Sequence, residues 1–194
     1  SGNSSHAEGE DTHAVGTGAH TEGYGTVAVG NSSHAEGYLS QSFGDYSHAE
    51  GEDTLANGIA SHAENYNTVA VGDYSHAEGF ATTASGIASH AGGNNTIASG
   101  TTSFVHGNQS IAGGSNTIVL GANITGTTDD TTYVDSFNIK TLPNDDNLTE
   151  VLVRDTDGTI KYRDYSTMRN FTPATAIYDF VWSAGTAPYS AVLS

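Results

Sequence analysis

The sequence predicts an all-β fold, a β-solenoid (parallel β-roll) built from a 14-residue repeat, and three features support this prediction. First, the pentapeptide Ser-His-Ala-Glu-Gly at residues 5–9 recurs in exact or varied form every 14 residues, at 19–23, 33–37, 47–51, 61–65, 75–79, 89–93 and 103–107. Second, a series typified by Thr-Val-Ala-Val-Gly at 26–30 and 68–72 runs seven residues out of phase. Third, both series end on glycine. A fixed period of this kind is the sequence signature of a repeat architecture, with one repeat per coil.

Each half-repeat reads as a five-residue strand followed by a two-residue corner. Positions 1, 3 and 5 are small and positions 2 and 4 are bulky, so the small residues should face the interior of the roll. Glycine at position 5 indicates a corner with positive φ. Asn65 replaces one of these glycines, and asparagine is the residue that next best tolerates that conformation.

A roll lined by Ser, Ala and Gly buries too little apolar area to offset its ordering entropy. The bulky residues of the second series are apolar and should form an outer face that must be covered by a partner. Identical chains packed around one axis can cover this face for each other. We place the segment 117–121 at the end of this series. The predicted subunit interface then consists of Val27, Val29, Leu55, Val69, Val71, Ile97, Ile111, Ile118 and Leu120.

Beyond the repeats, the composition changes and the period is lost. All five Lys and Arg residues lie after residue 139. We therefore predict a β-roll domain over 1–121, a linker over 122–147 and a small β-rich domain over 148–194 that clamps the subunits. Asp157-Gly158 between two β-prone segments indicates a hairpin, and 176–182 with 189–193 form a weaker candidate pair. Residues 132–134 are a candidate last strand.

The repeat units resemble the head repeats of YadA-like trimeric autotransporter adhesins over about residues 3–121. This resemblance implies a left-handed parallel β-roll, a homotrimer and a surface-displayed fibre. The same repeat is also found in virus and phage fibres, and the segment LVRDTDGTIKYRDYS is similar to parts of tail fibres that follow their repeats. The resemblance therefore favours a structural tail-fibre segment on a virion, which projects a receptor-binding tip. The alternative is the head of a bacterial adhesin on the cell surface.

Charge and composition narrow the function further. The net charge is −17 and residues 1–139 contain no Lys or Arg, so we expect no binding to nucleic acid. No apolar run approaches the 18 residues of a membrane span, so we expect no membrane insertion. Neighbouring Ser and His residues of one strand point to opposite faces, so they cannot form a nucleophile pair. We expect neither catalysis nor a cofactor.

Seven histidines share one repeat position, and six glutamates lie two residues after a histidine. Stacking of coils should turn them into two outward columns. We expect a solvated, structural face rather than a metal site, because such columns lack the outer partners that orient a ligand. His34, Glu36, His48 and Glu50 would be the ligands if a metal were bound. The columns should titrate broadly as a coupled set, while the subunit interface persists.

The last candidate functional residues are aromatic residues at the corners, and they occupy two positions of the repeat. They either cover the corners and the seams between chains, or form a stripe that contacts a host glycan or protein receptor. The first position holds Tyr24, Tyr38, Tyr66 and Phe80, and the second holds Tyr46 and Tyr74.

Overall fold

The computed structural model describes residues 2–136 and two C-terminal strands, 150–154 and 160–164. Every helix or strand assigned within these ranges is a β-strand. The chain divides into two compact units, Ser1–Asn138 and Ile139–Ser194. Residues 137–147 of the predicted linker, the turn at Asp157-Gly158 and the weaker strand pair at 176–193 lie outside the described residues.

The first unit is a parallel solenoid of about nine coils, and each complete coil contributes one strand to each of two sheets. The first sheet contains β1 (His6–Glu10), β3 (His20–Tyr24), β5 (His34–Tyr38), β7 (His48–Glu52), β9 (His62–Tyr66), β11 (His76–Ala77), β13 (His90–Asn94), β15 (Phe104–Asn108), β17 (Ile118–Ala122) and β19 (Thr132–Val134). Its strands pair in the 14-residue register, as in His6 opposite His20. The predicted parallel β-solenoid is confirmed.

The second sheet is made of much shorter strands than the five residues that the repeat suggests. It contains β2 (His13–Ala14), β4 (Val27–Ala28), β6 (Gln41–Ser42), β8 (Leu55–Ala56), β10 (Val69–Ala70), β12 (Thr83–Ala84), β14 (Ile97–Ala98), β16 (Ile111–Ala112) and β18 (Thr125–Gly126). Val69 lies between Leu55 and Thr83 in this sheet. Equivalent residues of successive coils therefore form straight columns on both sheets.

The interior contains mainly small side chains, as predicted, but in the last coils Val119 is buried and the partly buried Tyr133 packs against the core. A continuous column of alanines from Ala49 to Ala98 is fully buried, and it ends in Val105, Ala112 and Val119. Serine and threonine hydroxyls are buried beside it and donate to nearby backbone carbonyls, as Ser75 Oγ does to Gly72 O at 2.6 Å. These hydrogen bonds offset the cost of burying a polar lining.

The glycines of the two series have different roles. In the first series φ is positive, for example +105° at Gly23, and Asn65 follows with φ of 81°, so the predicted positive φ is confirmed there. Gly23 and Asn65 lie within β3 and β9, however, and not at a corner. In the second series the prediction of positive φ is wrong, because glycines such as Gly72 lie outside the left-handed region. A Cβ on Gly72 would lie 2.1 Å from the carbonyl oxygen of Gly86. Close approach of adjacent coils, rather than φ, requires glycine there.

Left-handed conformations also occur where the repeat pattern gives no signal. The residue just before the Ser or Thr that opens a half-repeat has positive φ even where it is not glycine or asparagine, as at Leu39, Ala60 and Tyr74 with φ of 51–60°. The amide of each donates to a carbonyl of the preceding coil, as Tyr74 N does to Ile59 O at 2.8 Å. The coil geometry therefore overrides the intrinsic preference of these residues.

The two sheets extend beyond the predicted end of the repeats. The sequence predicts a transition after Gly121, but β18 and β19 continue the second and first sheets to Val134. The candidate last strand at 132–134 is thus part of the solenoid. In the second unit, β20 (Glu150–Arg154) and β21 (Ile160–Asp164) pair antiparallel, with Glu150 opposite Asp164.

Candidate functional site

The outer surface of the first sheet carries a stack of histidine rings. Successive rings lie 4.7–5.1 Å apart from centroid to centroid and end against Phe104. The stack contains His6, His20, His34, His48, His62, His76 and His90. From His34 to His76 the rings are nearly parallel, within 2–4°. The predicted His column is therefore a continuous aromatic ladder.

Glutamates form the adjacent column, and each of four of them pairs with the histidine of the next coil. The Nε2–Oε1 distances are 3.5 Å for His48–Glu36, 3.3 Å for His62–Glu50, 3.0 Å for His76–Glu64 and 3.3 Å for His90–Glu78. Only the last two pairs have hydrogen-bond geometry. At His48 and His62 the Nε2 atom is shielded from solvent and has no hydrogen-bond partner among the described residues, so those two contacts are electrostatic only.

Burial within the stack affects protonation. Partial burial, followed by repulsion from neighbouring imidazoles, lowers the pKa of His34 and of His62 below the usual histidine value. The same two causes lower the pKa of His90, although Glu78 opposes them. These rings are therefore mainly neutral at pH 7.

The regular part of the ladder brings possible metal ligands together. In each of three groups, two histidines and one glutamate place one donor atom each within 4.8 Å of the others. The groups are His34–Glu36–His48, His48–Glu50–His62 and His62–Glu64–His76. The first includes three of the four ligand candidates predicted from the sequence. An imidazole binds a metal in its ring plane, however, and two parallel rings stacked about 4.7 Å apart cannot both direct a lone pair at one ion.

The Glu column is interrupted at coil seven. Gly92 occupies the position of the glutamates, so that coil has no carboxylate. His106 of the next coil and Glu78 of the preceding one both lean into the vacated space, because a Cβ on Gly92 would meet His106 Nδ1 at 2.6 Å and Glu78 Oε1 at 3.0 Å. His90 lies beside this space with its ring turned 74° from that of His76. The repeat pattern alone indicated neither this convergence nor the turned ring.

The second sheet carries the apolar outer face. Val27, Leu55 and Val69 occupy one column of that face, half-buried, while Val29 and Val71 occupy a second and are about 40% exposed. Val15 and Phe43 extend the second column and are similarly exposed, and the interface predicted from the sequence omits them. Ile97 and Ile111 continue the first column.

Two residues of the predicted interface lie elsewhere. Ile118 and Leu120 belong to β17 of the first sheet, opposite Phe104 and His106. They were assigned to the wrong series because their sequence resembles Thr-Val-Ala-Val-Gly, although the segment starts a multiple of 14 after residue 5. They therefore end the His and Glu columns and do not extend the apolar face.

The corner aromatics fall into two structural classes. Tyr24 stacks on Tyr38 at 5.3 Å and Tyr66 on Phe80 at 5.1 Å, so these rings cover each other's faces. Tyr46 and Tyr74 lie at the opposite corner, two coils apart, and each is about two-thirds exposed. The second class therefore offers free ring faces, and the first offers mainly ring edges.

An open groove of about 650 Å³ runs along the Glu column between coils one and four. Its walls are carboxylates and its floor is glycine backbone. The lining residues are Glu8, Gly9, Glu22, Gly23, Glu36, Gly37, Glu50 and Gly51.

The fold and its repeated outer columns define a parallel β-solenoid built from stacked coils. Comparison with protein families agrees: residues 7–33, 22–40 and 49–75 match the YadA head domain repeat, and the chain therefore contains YadA head repeats, as the sequence predicts. A comparison with curated proteins gave no match. Within the described residues there is no helix both long and apolar enough to cross a membrane.

Proposed function

We propose that this chain is a structural segment of a homotrimeric fibre, a virus or phage tail fibre that holds a receptor-binding tip away from the virion. The observation that supports it best is the apolar outer face of the second sheet on a solenoid whose interior is mostly alanine, serine and threonine. Such a coil gains little from its own core, and association through that face supplies the missing burial.

The repeat family supports the same proposal. YadA head repeats suggest a fibre-like or adhesin-like structural segment. The second candidate is accordingly the head of a bacterial trimeric adhesin, displayed on the cell surface. Both assign a mechanical role to the solenoid and, in both, exposed groups such as Tyr46 and Tyr74 would contact a host glycan or protein. We propose no catalytic role.

The first test is the mass in solution. Light scattering or analytical ultracentrifugation of the purified chain should give three times 20.0 kDa at micromolar concentration. A stable folded monomer would refute the trimer. A glycan array probed with the assembled protein tests receptor contact separately, because a trimer that binds no glycan retains the mechanical role and loses only the proposed glycan contact.

A further inference from the structure

The break in the Glu column creates one environment that differs from all the repeated ones. Within residues 2–136, the space beside Gly92 is the place where the carboxylate of one coil and the imidazole of another converge across an intervening glycine. The surrounding columns repeat one pairing from coil to coil, whereas three different side chains meet here. They are Glu78, His90 and His106.

One pair of donors at this place already has the separation that a metal centre requires. His90 Nε2 lies 3.3 Å from Glu78 Oε1. Two ligands about 2.1 Å from a tetrahedral ion are about 3.4 Å apart, so this pair already has the required separation. His106 Nδ1 borders the same space, and its exposed side chain can turn to complete the set.

The orientation of the rings separates this place from the regular ladder. The rings from His34 to His76 are parallel and their lone pairs cannot converge on one ion. His90 is turned 74° out of that stack, and His106 belongs to the neighbouring column. His106 Nδ1 therefore approaches the space beside Gly92 from the Glu column and not from the stack of parallel rings.

We infer that Glu78, His90 and His106 form a binding site for a divalent transition metal, with Zn²⁺ as the best fit, at one ion per chain. Two imidazole nitrogens and one carboxylate oxygen suit Zn²⁺, and the fourth position stays open to water. The lowered pKa of His90 keeps its imidazole neutral at pH 7, as a ligand requires. The site would connect coils six, seven and eight at the end of the His ladder.

The test is titration of the full chain with ZnCl₂ in chelator-free buffer, followed by calorimetry. We expect one tight equivalent per chain, and with Co²⁺ the visible absorption of a tetrahedral ion. Weak binding without fixed stoichiometry would overturn the inference, since that is the behaviour expected of the regular ladder alone.

Two variants locate the ion. Gly92→Ala keeps all three ligands but places a methyl group in the space they share; Gly92 lies outside the left-handed region, so the backbone accepts alanine. His106→Gln removes one ligand from an exposed position. Each should weaken the tight equivalent by at least about a hundredfold. Circular dichroism identifies a variant that fails to fold. If Gly92→Ala does not fold, the zinc affinity of His106→Gln alone tests the location of the ion.

His34→Ala provides the matched control, since it removes an imidazole of the regular ladder and leaves coils six to eight unchanged. It should retain the tight equivalent at wild-type affinity. Loss of that equivalent in His34→Ala, or its retention in both Gly92→Ala and His106→Gln, would place the ion elsewhere and overturn the inference.

Discussion

His76 Nε2 lies 3.0 Å from Oε1 of Glu64, a carboxylate of the preceding coil. The pairing crosses from one coil to the next instead of joining the His and Glu of a single strand. Each such pair therefore links two coils, and the parallel rings add a stacking contact at the same interface. The His and Glu columns thus contribute contacts that hold successive coils in register in the first sheet.

Acidification should destabilise the solenoid through this ladder. Burial and neighbouring imidazoles lower the pKa of His34, His62 and His90 in the folded chain. Between the folded pKa and the unfolded value of about 6.5, the unfolded chain binds more protons. The contribution of these residues is therefore fully present above pH 6.5 and is lost as the pH falls towards the folded pKa.

The measurement is the thermal midpoint between pH 8 and pH 4.5, with metal chelated throughout. The midpoint should fall as the pH drops below about 6.5, over a broad range because the rings are coupled. His34→Gln combined with His62→Gln removes two titrating groups and should make the pH dependence shallower. A midpoint that rises on acidification would contradict the expected loss of stability.

The proposed trimer predicts that a charge on the apolar face is severely destabilising. Val69 lies in the middle of the second sheet between Leu55 and Thr83. Val69→Asp would bury three uncompensated carboxylates near the three-fold axis, at a cost of about 3–5 kcal/mol for each unpaired charge. Light scattering should show dissociation.

Ile87→Asp is the matched control for that substitution. Ile87 is 54% exposed and lies at a corner, away from the apolar columns of the second sheet. This variant should keep the wild-type mass and thermal midpoint. Equal effects of the two substitutions would contradict the assignment of the second sheet as the interface.

Much of this surface could be predicted from the sequence because the period is strict. A step of 14 residues fixes which side chains share a column, and alternation fixes which face inward, so the His column and the alanine core follow directly. The place of a residue in the 14-residue period predicts its sheet better than its amino-acid type does. Ile118 was assigned by its apolar character to the second sheet, although its position places it after Phe104 in the first.

The remaining features depend on three-dimensional spacing that a repeat pattern does not encode. The sequence offers the same Gly at the end of both half-repeats. Both glycines leave no room for a Cβ, but only those of the first series also have positive φ. Gly92 looks like one more variant of the repeat, but its lack of a side chain lets His106 and Glu78 approach each other. Such effects involve neighbouring coils and depart from the periodic pattern.

The left-handed corners predict stabilising substitutions. Ala88 has φ of 53° and is exposed, so it carries a conformational cost that asparagine largely avoids. Ala88→Asn should raise stability by up to about 1 kcal/mol, seen as a higher thermal midpoint. Ile87→Asn is the control, because Ile87 is exposed at the same corner, lies away from the apolar columns and has no positive φ. An equal gain at both positions would mean that backbone strain is not the cause.

The glycine columns give the sharpest contrast between two kinds of substitution. Gly72→Val should abolish correct folding, since its Cβ would lie 2.1 Å from Gly86 O and backbone from the next coil cannot move without disturbing the whole stack.

Asn65→Gly relieves a positive φ of 81° and loses one exposed hydrogen bond, in which Asn65 Oδ1 accepts from Gly79 N at 3.0 Å. The two effects are of similar size, so the midpoint should stay near that of wild type, within the roughly 0.5 kcal/mol typical of surface changes. Thermal unfolding of both variants checks this, and a well-folded Gly72→Val protein would show that Gly72 and Gly86 are not in close backbone contact.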